Sequence, residues 1–298
     1  MKGERKRRVY RAPSSRQRLL GMLGRALPYV FLTLFSLPII SMYLWLFFSS
    51  FSRKVMFGFI PQEWTLHNWR FLWSPIQMGG AAHLSIWKAT GNTLLFAGVV
   101  MLIVVFTATL SGFALSRFRF RGREELMRLS ILLHAFPGVT LLIATFYVLY
   151  YLKLLNSIWG VAIARAALEI PWSTWIIKGF FDNIPWDIEW SAYVDGCNRF
   201  QAWYKVILPL LRPGIAAIAI FSFLAGWNDF IYPYTFIFTK ENQTLSMLIK
   251  ALIGEFRFTD YGLLASVSLF YILPVLVFFF FTQKGLMRVT VGGMKGGR

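Results

Sequence analysis

Six long apolar runs, four of them without a single charged residue, restrict this chain to membrane-spanning architectures. Each run holds at least 20 residues, and a helix of about 20 residues crosses a hydrocarbon core about 30 Å thick. Helices satisfy their own backbone hydrogen bonds in lipid, and the alternating pattern of a membrane β-barrel is not visible. We therefore predict an all-α polytopic membrane protein whose transmembrane domain covers 27–283, with six transmembrane helices at 27–51, 89–116, 129–152, 158–177, 214–239 and 261–282.

Lys and Arg residues are distributed unevenly among the segments that flank these runs. Of the 31 in the chain, 22 lie in the segments 1–26, 117–128, 178–212 and 284–298, and eight lie in the intervening loops. Because Lys and Arg accumulate on the cytoplasmic side, we predict a basic cytoplasmic arm at 1–26 and a cytoplasmic tail at 284–298. The net charge of +18 then faces anionic membrane lipid, and we expect no nucleic-acid partner.

Residue types that hold metals or nucleotides are scarce. The chain has one cysteine and three histidines, too few for a typical structural metal site. The phosphate-binding pattern G-x-x-x-x-G-K-[ST] does not occur in the sequence. We therefore expect the chain to hold no metal and no cofactor, and to be no enzyme.

The segment 181–213, which follows the fourth run, departs from the charge pattern of its side. Its first half carries four of the 13 acidic residues of the chain. Pro185 with acidic residues after it is typical of a helix start, and Gly196 permits a bend. We predict a helix-turn-helix whose second helix ends at Leu208–Pro209, with small residues that let another surface approach closely.

This segment resembles a loop of known transporters. Residues 183–196, Asn-Ile-Pro-Trp-Asp-Ile-Glu-Trp-Ser-Ala-Tyr-Val-Asp-Gly, followed by Val-Ile-Leu-Pro at 206–209, are similar to the E-A-A-x-x-x-G-x(9)-I-x-L-P loop of binding-protein-dependent ABC importers. Further matches are Leu-Ser-Arg-Phe-Arg-Phe-Arg-Gly at 115–122, Trp-Asn-Asp-Phe at 227–230 and Gly-Gly-Met-Lys-Gly at 292–296. The resemblance extends from Asn92 to the C-terminus and is closest to inner-membrane permease subunits of maltose-type carbohydrate uptake.

The resemblance implies a set of partners and a docking role. A second, non-identical permease subunit, a dimer of cytoplasmic ATPase subunits that bind ATP and Mg, and an extracytoplasmic solute-binding protein would surround this chain in the bacterial inner membrane. Trp190 stands where the family has Glu, and Glu189 lies one residue earlier, about 100° away on a helix. The implied ATPase-coupling residues are Ile188, Glu189, Ser191, Ala192, Asp195, Gly196, Leu208 and Pro209.

Ionisable residues inside the apolar runs indicate a substrate path, because a charge in the membrane is costly and commonly functional. Arg165 and Glu169 are i,i+4 neighbours that we expect to pair, and Asp229 follows Trp227-Asn228 in the fifth run. Carboxylate, amide and aromatic groups together suit sugar hydroxyls and sugar-ring faces. The alternative is that these groups only bond within the bundle. The candidate residues are Arg165, Glu169, Trp227, Asn228, Asp229 and Tyr232.

Three functions remain open from the sequence. The first is import of a sugar, as a di- or oligosaccharide, driven by ATP hydrolysis on partner subunits. The second is import of a glycerophosphate or polyol by the same machinery, with Arg165 as the ligand of an anion. The third is a proton-coupled secondary carrier that uses His134, Glu169 and Asp229, although such carriers usually show internal repeats and none is apparent here.

Overall fold

The chain is almost entirely helical in the part that the structure, a computed structural model, describes: residues 15–53, 55–56, 60–78, 81–82, 85–253 and 260–293. Two short antiparallel hairpins pair β1 (Val55–Met56) with β2 (Ile60–Pro61) and β3 (Gln77–Met78) with β4 (Ala81–Ala82). Because these strands have only two residues each and the other regular elements of the described part are helical, the all-α class is confirmed. The helices are α1 (Ser15–Ser50), α2 (Ile86–Arg117), α3 (Arg123–His134), α4 (Leu142–Tyr151), α5 (Ile158–Asp182), α6 (Trp186–Val194), α7 (Arg199–Ala202), α8 (Leu208–Leu210), α9 (Arg212–Trp227), α10 (Ile231–Phe236), α11 (Leu245–Ile253) and α12 (Tyr261–Gly293).

Helix α2 packs against both α5 and α9, and these two helices also contact each other. Small residues permit this packing: a Cβ on Gly112 would lie 2.6 Å from Ile177 Cγ2, and one on Gly226 would lie 2.8 Å from the Ala97 Cα. Close approach at small residues is typical of helix pairs in membranes, where lipid gives no hydrophobic incentive to associate.

Two described helices are long and apolar enough to cross a membrane, Leu27–Ser50 within α1 and Ile86–Arg117, and each of two bent helix pairs adds one more if it forms a single span. Helices α5 and α12 are not among these candidate spans. Helix α5 carries the charged residues Lys178 and Asp182 besides Arg165 and Glu169, and the apolar stretch found in α12 is the shorter Tyr261–Val277. The six spans and their orientation therefore remain a prediction.

The third and fifth predicted spans are not single helices. Helix α3 and the pair formed by a 3₁₀ turn (Gly138–Leu141) and α4 meet at 96° within 129–152. Pro137, which has no backbone donor, stands at this break. The fifth predicted span, 214–239, ends as a helix at Trp227, and α10 begins at Ile231, where the Asp229 side chain accepts a hydrogen bond from the Tyr232 N–H at 3.1 Å.

The predicted terminal segments are partly helical. Residues 15–26 of the predicted arm continue into the first span as α1, and residues 284–293 of the predicted tail belong to α12. Residues 1–14 and 294–298 lie outside the described part of the chain. Most of the apolar stretch Leu27–Ser50 of α1 is exposed, although its end is buried and α1 packs on α12; an exposed apolar surface of this size is typical of contact with lipid or with another protein.

Candidate functional site

The 181–213 segment forms the predicted turn between helices. Helix α6 begins directly after Pro185 and ends before Asp195, and Gly196 has a φ of 85°, a left-handed conformation that glycine adopts without strain. After it come α7, a π-helical turn at Trp203–Ile207, and α8. The second helix ends at Leu210, one residue later than predicted, and α9 leaves at a bend of 80°.

Glu189 points inward, toward the end of α2. Its Oε2 lies 2.8 Å from the Arg117 Nε, and both side chains are nearly fully buried, at 2% and 3% exposed. Arg117 also donates to the Ile184 carbonyl at 2.9 Å and lies over the Trp186 ring. The Tyr193 hydroxyl donates to Glu189 Oε1 at 2.5 Å. Burial, together with this hydrogen bond and the negative charge of Glu189, raises the pKa of Tyr193 to about 12.

A second contact joins α5 to α2 at the start of the same segment. Asp182 Oδ2 lies 2.6 Å from the Lys178 Nζ, and Ser116 donates to Asp182 Oδ1 at 2.6 Å. Burial on its own would raise the pKa of Asp182, but the hydrogen bonds from Lys178 and Ser116 outweigh it and hold that pKa below its usual value. The two contacts fix the segment to the ends of α2 and α5.

The outward face of α6 combines large apolar and polar side chains. Trp190 is 58% exposed and Val194 is 87% exposed, and Asp187 and Ser191 on the same face are also exposed. Among the other predicted coupling residues, Asp195, Gly196 and Pro209 are exposed, Ile188 and Leu208 are half-buried, and Ala192 is buried. Glu189 is thus a buried residue that anchors α6 to the end of α2, and it does not belong to the exposed face of α6.

The three ionisable residues of the apolar runs meet in one ionic cluster: Arg165, Glu169 and Asp229. Arg165 Nε lies 2.7 Å from Asp229 Oδ2, and Arg165 Nη1 lies 3.2 Å from Glu169 Oε2. The i,i+4 pair expected from the sequence forms, and Asp229 joins it from the break between α9 and α10. All three side chains are largely buried, so the single cation partly neutralises two anions.

A cavity of about 280 Å³ opens beside the ionic cluster. Its lining combines the cluster with His134, Phe136 and Tyr232. Tyr232 is otherwise buried, and its hydroxyl donates to the Gly138 carbonyl at 3.3 Å. The site thus presents charged, hydroxyl and aromatic groups to one small volume.

Trp227 does not belong to this cavity. It is fully buried, its ring stacks on Tyr271 with centroids 5.6 Å apart, and its carbonyl accepts a hydrogen bond from the Tyr271 hydroxyl. The indole therefore offers no free face to a sugar in this arrangement, and the role of Trp227 as a substrate contact stays a prediction. Asn228 does not line the cavity either, but its side chain is exposed, with Oδ1 3.5 Å from the Tyr271 hydroxyl.

Sequence reasoning missed two groups of residues around these sites. The first group is Arg117 and Tyr193, which contact the Glu189 carboxylate. The sequence clue to Arg117 was its position as the first charged residue after an apolar run. Trp172 and Trp175 form a stack with His134, which the sequence already names as a proton-coupling candidate and which lines the cavity. The i,i+3 spacing of the two tryptophans on α5 was the available signal.

Comparison with known proteins gives a consistent result. Residues 105–284 match the family described as binding-protein-dependent transport system inner membrane component. The maltodextrin transport system permease protein MdxG of Bacillus subtilis is 29% identical over 279 residues, covering 92% of this chain and 98% of that protein. The galactooligosaccharides transport system permease protein GanQ of the same organism is 34% identical over 197 residues, covering 66% of this chain and 68% of GanQ.

A solved structure shares the fold. One chain of a bacterial ABC transporter involved in the import of the acidic polysaccharide alginate superposes with a TM-score of 0.75 at 20% identity, over 92% of this chain and 99% of that chain. At this identity the likeness establishes the fold alone. By the family match, the chain belongs to the binding-protein-dependent transport system inner membrane components, as a multi-pass permease subunit of the bacterial inner membrane and not an enzyme.

Proposed function

We propose that this chain is a permease subunit of an ATP-driven importer that moves a di- or oligosaccharide from an external solute-binding protein into the cytoplasm. The observation that carries the proposal is the attachment of α6: the helix exposes Trp190 and Val194 on its outer face and is held on its inner face by the ion pair between Glu189 and Arg117. The names of MdxG and GanQ, which refer to maltodextrin and galactooligosaccharides, support the sugar class.

The contacts of α6 suit the transmission of force. Docked in a groove of a cytoplasmic ATPase dimer, α6 would move with the ATPase subunits when they bind ATP and Mg and close. The Arg117–Glu189 pair links that movement to α2, and the Asp182 contacts link α2 to α5. A rigid helix with buried polar ties transmits a rigid-body displacement, since such packed elements move as units. A second permease subunit would complete the pathway.

The ionic cluster suits a neutral solute with many hydroxyls. With one cation and two carboxylates, it carries a net negative charge, and Arg165 is already engaged on both sides. Because both carboxylates already occupy Arg165, no free cation is left in the cluster for a glycerophosphate or another anion, and this arrangement disfavours such a solute. Glu169 and Asn228 supply acceptors and donors for hydroxyls. Uptake is measured at saturating binding protein. Glu169→Gln is expected to raise the KM for the transported sugar, and an unchanged KM would show that Glu169 does not contact the sugar.

The proposal is tested with the purified transporter in proteoliposomes, using maltodextrins and galacto-oligosaccharides as solutes. Val194→Asp places a charge on the exposed face of α6 and is expected to abolish both uptake and binding-protein-stimulated ATPase activity, with normal insertion and thermal stability. Val194→Thr keeps the size of the side chain without the charge and is expected to retain most activity.

Two outcomes would contradict the proposal. Full coupling in Val194→Asp would show that the face of α6 does not dock on the ATPase. Solute accumulation by this chain alone, driven by a proton gradient without ATPase subunits, would identify a secondary carrier.

A further inference from the structure

A second cavity, of about 720 Å³, lies between the start of α3 and the end of α5. It shares no lining residue with the cavity beside the ionic cluster. Four cations and two carboxylates line it, which leaves a net charge of +2: Arg119, Arg123, Arg128, Lys178, Glu124 and Glu125. We call this volume the basic cavity. A concave surface of one prevailing sign concentrates ions of the opposite sign, so the basic cavity attracts an anion.

The cations of the basic cavity are not all paired with carboxylates. Lys178 Nζ lies 2.6 Å from Asp182 Oδ2, and Arg128 Nη2 lies 3.5 Å from Glu124 Oε2. Arg123, by contrast, forms no ion pair with any residue that the structure describes, although it is half-buried. A guanidinium that is partly removed from water gains from an external counter-ion, because burial weakens its hydration.

The lining of the basic cavity changes from charged to apolar across the predicted edge of the membrane. All four cations lie outside the predicted spans, in the segments 117–128 and 178–212. Ile131 lies inside the third predicted span, and Trp175 lies inside the fourth. Ile131 follows Arg123 by about two helical turns, a distance of about 12 Å along the axis of α3. The basic cavity therefore extends from the level of the lipid headgroups to that of the hydrocarbon.

A phospholipid has the same sequence of parts, a charged phosphate followed by acyl chains. Ile131 is 41% exposed and Trp175 is 45% exposed, so acyl chains can reach both side chains. A soluble anion would use only the cations. An acidic peptide segment would approach from the water and would have no use for an apolar wall within the spans. The combined lining therefore favours a lipid.

We propose that the basic cavity binds the headgroup phosphate of an anionic phospholipid from the cytoplasmic leaflet. The acyl chains of this lipid lie beside Ile131 and Trp175. Basic pockets between helices on the cytoplasmic side suit such headgroups, and the net positive charge selects an anionic lipid over a zwitterionic one. The inference adds a lipid site to the subunit, and it does not depend on the solute that the transporter moves.

The test uses the complete purified transporter in phosphatidylcholine nanodiscs that contain a photoreactive phosphatidylglycerol, with the reactive group near the top of one acyl chain. Mass spectrometry of the crosslinked peptides is expected to find the label on 119–131 and 175–178. Unlabelled phosphatidylglycerol is expected to displace it. Additional phosphatidylcholine, phosphatidylethanolamine in the bilayer and inorganic phosphate in the buffer are each expected to leave the labelling unchanged.

Arg123→Gln removes the unpaired cation and is expected to raise the phosphatidylglycerol concentration for half-maximal labelling about fivefold, the effect of one cation near a membrane surface. Arg123 is the first residue of α3, where a positive charge opposes the helix dipole, so the variant is not expected to weaken this helix. Arg123→Lys keeps the charge and is expected to retain most of the labelling. Arg121→Gln is the matched control, because Arg121 is exposed in the same loop but does not line the basic cavity.

Several results would overturn the proposal. Equal displacement by phosphatidylcholine or phosphatidylethanolamine would indicate ordinary boundary lipid, and displacement by inorganic phosphate would indicate a site for a soluble anion. Equal losses in Arg121→Gln and Arg123→Gln would indicate a diffuse attraction to the membrane surface. Unlabelled peptides in the complete transporter would mean that another subunit covers the basic cavity.

The competition experiment on the wild type decides the question even if Arg123→Gln does not assemble with its partners. Failure of the lipid site would leave sugar uptake and its coupling to the ATPase unaffected, so it is distinguishable from a failure of the proposed function.

Discussion

The stability of the protein depends on both members of the buried ion pair Arg117–Glu189. Removing one partner leaves an uncompensated charge in the interior, which typically costs about 3–5 kcal/mol. We therefore expect Glu189→Gln to lower the free energy of unfolding by about 3 kcal/mol, measured by thermal denaturation of the purified subunit in detergent. The matched control is Glu124→Gln, which breaks an exposed i,i+4 pair with Arg128 at 3.5 Å and is expected to cost less than about 1 kcal/mol.

The double variant Arg117→Met with Glu189→Met separates charge burial from packing. It leaves no unpaired charge, so it is expected to be more stable than Glu189→Gln alone. Equal losses in Glu189→Gln and Glu124→Gln would mean that the buried position of the pair does not matter for stability.

Individual residues also show where reasoning from the sequence ends. The Arg165–Glu169 contact followed from i,i+4 spacing on a helix, which is a local rule. The addition of Asp229 to that pair, the stacking of His134 on Trp172 and the burial of Trp227 depend on which helices pack together. Side-chain identity and spacing do not contain that information, and the Trp227-Asn228-Asp229 motif gave no sign that its first residue turns into the core.

Helix packing around α2 relies on glycine at defined positions, and this yields a prediction for the α2–α9 pair. In Gly226→Ala the new Cβ would lie 2.8 Å from the Ala97 Cα, a backbone atom that cannot move without displacing α2. Overpacking of this kind costs about 1–3 kcal/mol, and we expect a matching loss of thermal stability in detergent.

Gly98→Ala supplies the control for this variant. Gly98 is also inside α2, but a Cβ there would meet nothing within 4 Å. Alanine is the better helix former by up to about 1 kcal/mol, so this variant is expected to be neutral or slightly more stable. Identical behaviour of the two variants would refute close packing between α2 and α9.

The predicted boundaries of a span match those of one helix only where the apolar run forms a single continuous helix. The run 89–116 corresponds closely to α2, because it contains no charged residue and no proline that would interrupt a helix. The runs 129–152 and 214–239 satisfy the same criteria of length and hydropathy, yet each contains a break. Pro137 marks one of them and was visible in the sequence, but proline also occurs inside continuous helices, as Pro171 does in α5. Proline therefore indicates a possible break without deciding whether the helix continues.

The molecule as a whole exposes large apolar surfaces. Such surfaces are expected of a membrane protein that contacts lipid and associates with other subunits. Helix α3 has no buried residue, and most of the apolar stretch of α1 is exposed. A second permease subunit and lipid are the expected covers. The family and the all-α class could be predicted from motifs and apolar runs. The number of spans rests on the apolar runs alone and the orientation on the Lys and Arg count, and both remain predictions.

The predicted orientation is tested with the single native cysteine, Cys197, which is partly exposed next to the bend at Gly196. If both termini and the 181–213 segment are cytoplasmic, a membrane-impermeant thiol reagent will label Cys197 in inside-out vesicles and leave it unlabelled in intact spheroplasts. ATPase subunits docked on α6 are expected to reduce that labelling, because they would cover the neighbouring surface.

Cys197→Ser combined with Ser74→Cys reverses the experiment, since Ser74 is exposed in the loop predicted to face outward. This variant is expected to be labelled in spheroplasts and protected in inside-out vesicles, and the two proteins calibrate each other's vesicle preparations. Labelling of Cys197 from the outside would place the 181–213 segment beyond reach of any cytoplasmic ATPase. The coupling role of α6 would then be lost, although the contacts of Glu189 and the ionic cluster would stand unchanged.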